Sequence, residues 1–188
     1  EEPVQRETNS LIFDSYFYSN HIAITGGIGK IVTVDEILKG LNTSPEVQFK
    51  FGQFLDQLIP LLGNGYEIRI NSSYRNYGNS YNVYKSRTLT DPAQIFRKTL
   101  RSPHSYGLAL DIALYEIADT PGSSTNLLAG FGSQYLSTWN NLKVVDLAKE
   151  NKLRWGGTFT NSDGSTYPDG VHFDALDRDT YSWPNMAT

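Results

Sequence analysis

The chain of 188 residues contains no cysteine. That excludes disulfides and thiolate metal sites, and leaves His, Asp and Glu as the side chains able to hold a transition metal. It has no apolar run near the ~20 residues that a helix needs to cross a bilayer, so no membrane span is expected. An excess of positive charge is also missing. Lys and Arg number 16 against 20 Asp and Glu, a formal net charge of -4, which gives no electrostatic attraction for a polyanion, and no nucleic-acid partner is expected. Internal repeats and low-complexity tracts are absent. The opening Glu1-Glu2-Pro3 lacks the basic-then-apolar pattern of a signal, although a chain that starts without Met would keep no trace of one already removed.

What is present suffices for a core. Its length and 39% apolar content fit a single domain over residues 1–188, expected as a monomer, with Glu1–Asn9 a loose N-terminal arm. Thr33-Val34-Asp35-Glu36 has the form of a capping box, and the short helix after it can end at Gly40. Ser44-Pro45-Glu46 begins a second helix, with a capping hydroxyl, Pro at the first helical position and an acid near the positive end of the dipole. Val47, Phe51, Phe54, Leu55, Leu58 and Leu62 then share one face at helical spacing.

Tyr66 to Ser72 alternates in period two and reads as a half-buried strand. Asp91-Pro92 opens a helix to about Leu100, and Thr138 to Glu150 reads as one helix stopped by Asn151. Gly107 to Tyr115 and Gly170 to Ala175 are further strands, and Asn161-Ser162-Asp163-Gly164 is a turn. The order of these elements predicts an α+β fold, with a central, mostly antiparallel sheet and helices packed on one side.

Only three histidines occur, and two of them, His104 and His172, lie near Asp111 and Asp169. Along Gly107 to Ala113 the alternation sends Leu108, Leu110 and Ile112 one way and Ala109, Asp111 and Ala113 the other. Asp111 would thus stand between two methyl groups, with room above the sheet for an ion and a substrate. Val171 and Phe173 point to the core, so His172 points to the opposite face, where it can meet Asp111 from a neighbouring strand. Two imidazoles and one carboxylate make three ligands, the set with which catalytic zinc keeps a fourth position for water. Asp169, three residues before His172, is placed to serve as the base that such a water needs.

These residues carry a family resemblance. Ser102-Pro103-His104-Ser105-Tyr106-Gly107-Leu108-Ala109-Leu110-Asp111 resembles the S-x-H-x-x-G-x-A-x-D signature of the metallopeptidases that include zinc D-alanyl-D-alanine carboxypeptidases and many phage endolysins. Asp169-Gly170-Val171-His172 resembles their second element, Ser72-Ser73-Tyr74-Arg75 their S-x-Y-R element, and Leu153-Arg154-Trp155-Gly156-Gly157 the strand before the acid. The resemblance implies Zn2+ held by His104, Asp111 and His172, and Asp169 as general base and later proton donor. It places Arg75 near the substrate carbonyl or carboxylate, and implies the fold shared with the Hedgehog signalling domain. It also implies a peptidoglycan peptide substrate and action outside the cell, at the wall or in the periplasm, or as a phage lysin on the wall. The expected cut is the L-Ala-D-Glu bond, with D-Ala-D-Ala carboxypeptidase action and a zinc-binding module without turnover as alternatives.

Two departures stand out: some relatives have Glu in place of Asp169, and some lytic peptidases have His in place of Gly170. Other features read more plainly. Trp155 and Gly156-Gly157 serve strand packing as readily as substrate. Tyr74, Tyr77, Tyr81 and Tyr84 are expected to fill core rather than bind a ligand, and Asp174 is expected to face solvent rather than orient a ligand. His21 is expected to be solvated or locally bonded. The Asn161 to Gly164 stretch fails as a calcium loop, because Phe159 and Gly170 would fall where acids are needed.

Overall fold

Helices begin where their side-chain caps place them. In the computed structural model, which describes residues 11–13, 30–41, 43–63, 66–86, 90–120 and 122–176, Thr33 Oγ1 accepts from the Glu36 amide ahead of α1 (Val34–Gly40). Ser44 Oγ accepts from the Val47 amide ahead of α2 (Pro45–Leu62), and Asp91 from the Ala93 amide ahead of α4 (Pro92–Arg101). The Glu1–Asn9 arm and His21 lie outside the described residues.

Among the described residues seven strands form one sheet in the order β2 (Lys30–Val32), β1 (Leu11–Phe13), β3 (Tyr66–Ser72), β4 (Ala109–Glu116), β7 (His172–Asp174), β6 (Arg154–Trp155), with β5 (Leu127–Ala129) also on β4. Every pairing is antiparallel except β1 with β3. The fold is α+β, as the order of elements predicts. The β1–β2 edge is an addition, since these three-residue strands are too short to show a period.

Register divides the sheet into two chemically distinct faces. Ile68 and Ile70 of β3, Leu110, Ile112 and Leu114 of β4, Phe173 of β7 and Trp155 of β6 share the core face. Against it pack α1, α2, α5 (Leu136–Asn141) and α6 (Val144–Glu150), with Phe54 of α2 and Trp139 of α5 at 5.3 and 5.7 Å from the Phe173 ring. The helix expected over Thr138 to Glu150 is instead two. Lys143 takes a left-handed φ of 65° between α5 and α6, after Asn140 and Asn141, whose amides compete with helical bonding. Asn151 caps α6 as expected.

The opposite face is polar yet covered. Glu67 and Arg69, expected on the exposed side of β3, are both buried. Arg69 donates to Glu67 at 3.0 Å and lies 3.6 Å over the Tyr115 ring, and Glu67 accepts from the Gly122 amide at 2.8 Å. This network ties the loop after β4 down onto the sheet. The tyrosine-rich stretch forms α3 (Tyr77–Ser86), which packs with α4 beside the main core. Tyr74, Tyr81 and Tyr84 are half-buried there and Tyr77 is exposed, so they do not fill the main core as expected.

Candidate metal centre

Three separate segments deliver His104, Asp111 and His172 to one point. Asp111 rises from the polar face of β4 between the buried Ala109 and Ala113. The antiparallel register sets Asp111 directly opposite His172 of β7. His104 comes from a 3-10 turn, Pro103–Tyr106, that follows α4. Gly107 closes this turn with φ 69°, a left-handed conformation that glycine adopts without strain. The Leu108 amide then donates back to Pro103 O at 3.0 Å, and the Arg75 amide to His104 O at 3.0 Å. Ser80 and Ser105 hydroxyls, 2.8 Å apart, pin the turn to α3.

His104 Nε2 lies 3.1 Å and His172 Nδ1 3.2 Å from the same oxygen, Asp111 Oδ1. The rings are edge to face, with centroids 5.1 Å apart. All three donor atoms fall within 4.8 Å of one another. The far nitrogens fix the tautomers. His104 Nδ1–H donates to Ser73 O at 2.7 Å and His172 Nε2–H to Asp174 Oδ2 at 2.7 Å. Were both rings neutral, the two near nitrogens and Asp111 Oδ1 would present three lone pairs to one another. Such an arrangement would be repulsive without a proton or a metal cation among them.

Titration in the metal-free protein follows the same logic. Burial, then the nearby charge of Arg75, lowers the pKa of His104. Burial would also lower His172, but its hydrogen bonds to Asp111 and Asp174 outweigh it and raise the pKa to about 10. Burial opposes the charge of Asp111, yet His104 and His172 hold its carboxyl well below the usual range. One proton, on His172, therefore occupies the centre at neutral pH. The residues fit a divalent metal, because two imidazoles and a carboxylate suit zinc and a metal would supply the second positive charge.

Behind His172 stands Asp174, which is fully buried rather than solvent-facing. Besides the imidazole it accepts a fork from Arg154, Nε to Oδ1 and Nη2 to Oδ2, each at 2.7 Å, and the Leu176 amide at 3.1 Å. Burial would raise the pKa of Asp174, but His172 and Arg154 outweigh it and hold the carboxyl below its ordinary value. Phe159 packs tilted against the His172 ring, with centroids 5.3 Å apart. Arg75 is buried, and its Nε has no hydrogen bond.

Asp169 starts the turn into β7. Its amide donates to Gly156 O at 2.9 Å and its carbonyl accepts from the His172 amide at 3.1 Å. A Cβ on Gly156 would lie 2.4 Å from Asp169 O, 2.9 Å from His172 Cβ and 3.1 Å from Asp169 Cβ. Asp169 and His172 thus leave the backbone no farther apart than the last two distances together. Gly156→Ala should cost about 1–3 kcal/mol, as overpacking against fixed backbone does, and should weaken metal binding as well. Thermal unfolding of the metal-free protein and a zinc titration check this. Trp155 lies on the core face, with Nε1 donating to Gly170 O at 2.8 Å, and its role is packing.

The structure therefore brings together the three expected ligands, with Asp169 on the adjoining turn and the Arg75 backbone bonded to the His104 turn. Reading from residues alone missed Ser73 O, Arg154 and Phe159, and undervalued Asp174. A signal existed for Asp174, which the period of two puts on the same face as His172. The Asn161 to Gly164 turn closes a small hairpin bridged at Thr160 and Thr166. Among the described residues, only the His104, Asp111 and His172 group has the makings of a metal site.

None of the curated proteins compared with the chain matches it. Residues 96–175, which contain the whole His104–Asp111–His172 group and Asp169, match the family described as D-alanyl-D-alanine carboxypeptidase.

Proposed function

We propose that the protein is a zinc-dependent peptidase that cleaves stem peptides of peptidoglycan, with the L-Ala-D-Glu bond as its point of attack. The observation that carries this reading is the convergence of three lone-pair donors from three segments, with an acid on the turn that leads into one of them. His104 Nε2, Asp111 Oδ1 and His172 Nδ1 would hold the ion. Bound zinc would polarise the scissile carbonyl and acidify the attacking water.

The chain's own groups do the rest. Asp169 takes the proton from the attacking water and returns it to the departing amine, acting first as base and then as acid. Arg75 steadies the developing oxyanion or grips a substrate carboxylate, a role that suits a buried guanidinium with an unsatisfied Nε. Stem peptides carry several carboxylates for such a group to meet.

Purified peptidoglycan incubated with the zinc-loaded protein and analysed by mass spectrometry tests the proposal. New N-terminal D-Glu is the expected product. Release of D-Ala from otherwise intact stems would establish the second reading, a D-Ala-D-Ala carboxypeptidase, which the description of the matched family favours. No new fragment of either kind, with zinc bound, would leave a zinc-binding module without turnover.

A further inference from the structure

We infer that Arg154 is a positioning residue for the metal ligand His172, acting through Asp174. The inference rests on the metal reading of His172. It starts from how completely Asp174 is used. Its carboxylate is fully buried and accepts four hydrogen bonds, two of them from the Arg154 fork at 2.7 Å. Oδ2 is shared between Arg154 Nη2 and His172 Nε2. The fork therefore fixes the plane of the carboxylate, and the plane fixes where Nε2–H can point.

Strand register makes this geometry available. Arg154 of β6 pairs with Asp174 of β7, and His172, two residues earlier, shares the Asp174 face. Arg154 and His172 also flank one ring, because the guanidinium lies 5.2 Å and the imidazole 5.3 Å from the Phe159 centroid. The buried negative charge of Asp174 is met by a guanidinium. With Nε2 held on Asp174 Oδ2, the ring is oriented so that Nδ1 faces Asp111 Oδ1. A lysine could match the charge but could not hold both oxygens in one plane. Partners of this kind behind a metal-bound imidazole typically account for about 10- to 100-fold in metal affinity.

The test measures zinc affinity by chelator competition, and the visible spectrum of the Co2+ form, for wild type, Arg154→Met, Arg154→Lys, Asp174→Asn and the double variant Arg154→Met/Asp174→Asn. Arg154→Met is expected to bind zinc about tenfold more weakly and to shift the Co2+ bands. Arg154→Lys should recover part of that loss. The double variant should be no weaker than Asp174→Asn alone, because Arg154 then has no carboxylate left to hold. Circular dichroism of the metal-free proteins checks folding, and if Arg154→Met is unfolded, Arg154→Lys carries the comparison.

Affinity within twofold of wild type and an unchanged Co2+ spectrum in the folded Arg154 variant would overturn the inference alone. Full additivity in the double variant would do the same, since Arg154 would then act by another route. Failure of the wild type itself to bind zinc would overturn the metal reading and this inference together.

Discussion

Replacing Asp169 with asparagine should lower kcat about 100- to 10,000-fold, the usual contribution of a positioned acid-base group, while zinc content stays at the wild-type level. Asparagine keeps the size of the side chain and both backbone bonds that build the turn, the Asp169 amide to Gly156 O and the His172 amide to Asp169 O. It removes the negative charge and with it the capacity to accept a proton. Asp169 does not belong to the group of atoms able to hold the ion, so occupancy should not follow activity. As the base, Asp169 would reach less far than a Glu, and a backbone drawn in toward His172 would offset this. Gly156, lacking a Cβ, lets the Asp169 carbonyl approach so closely that the turn stands beside His172. Hydrolysis of wall fragments by both proteins at equal zinc occupancy measures the effect. Equal activity would remove Asp169 from the mechanism, and equal inertness would point to a module that binds without turnover.

Zinc affinity should rise about tenfold for each pH unit between pH 6 and 8, roughly 100-fold across the interval, because binding displaces one proton. The sign follows from His172, whose pKa of about 10 in the metal-free protein keeps it protonated throughout this range. His104 is lowered from 6.5 and Asp111 lies well below 3.8, so neither adds a proton over most of the interval. Isothermal titration in buffers of different ionisation enthalpy counts the released protons directly. A slope of zero would mean that His172 is already neutral, and a slope of two that both imidazoles are charged.

Folding stability of the metal-free protein carries the same signature. A folded pKa above the unfolded 6.5 gives His172 a stabilising contribution that is fully present below 6.5 and is lost as the pH rises through about 10. Thermal unfolding in the presence of chelator should therefore show a midpoint that falls between pH 7 and 10.

Much of the centre was legible because strands and turns have short-range rules. The alternation from Leu108 to Ala113 placed Asp111 on the polar face, and that of Val171 to Phe173 placed His172 there too. The caps at Thr33, Ser44 and Asp91 marked three helix starts correctly. What stayed hidden depends on register between distant segments. Nothing local says that Arg154 will face Asp174, or that Glu67 and Arg69 will be roofed by the loop after β4. The alternation that suggested an exposed face on β3 was real, but the charged residues on it are paired and covered. The break at Lys143 was equally unreadable, since the apolar spacing continues across it and only the backbone changes hand.

The indoles of Trp139 and Trp155 donate to Gly130 O and Gly170 O, the second of which belongs to the turn carrying Asp169. The chain has three tryptophans in all, and Trp183 lies outside the described residues. Two intrinsic fluorophores are thus hydrogen-bonded to the backbone on the core side of the metal centre, one of them to that turn. A change in tryptophan emission on addition of zinc would therefore report a change at that turn without any label.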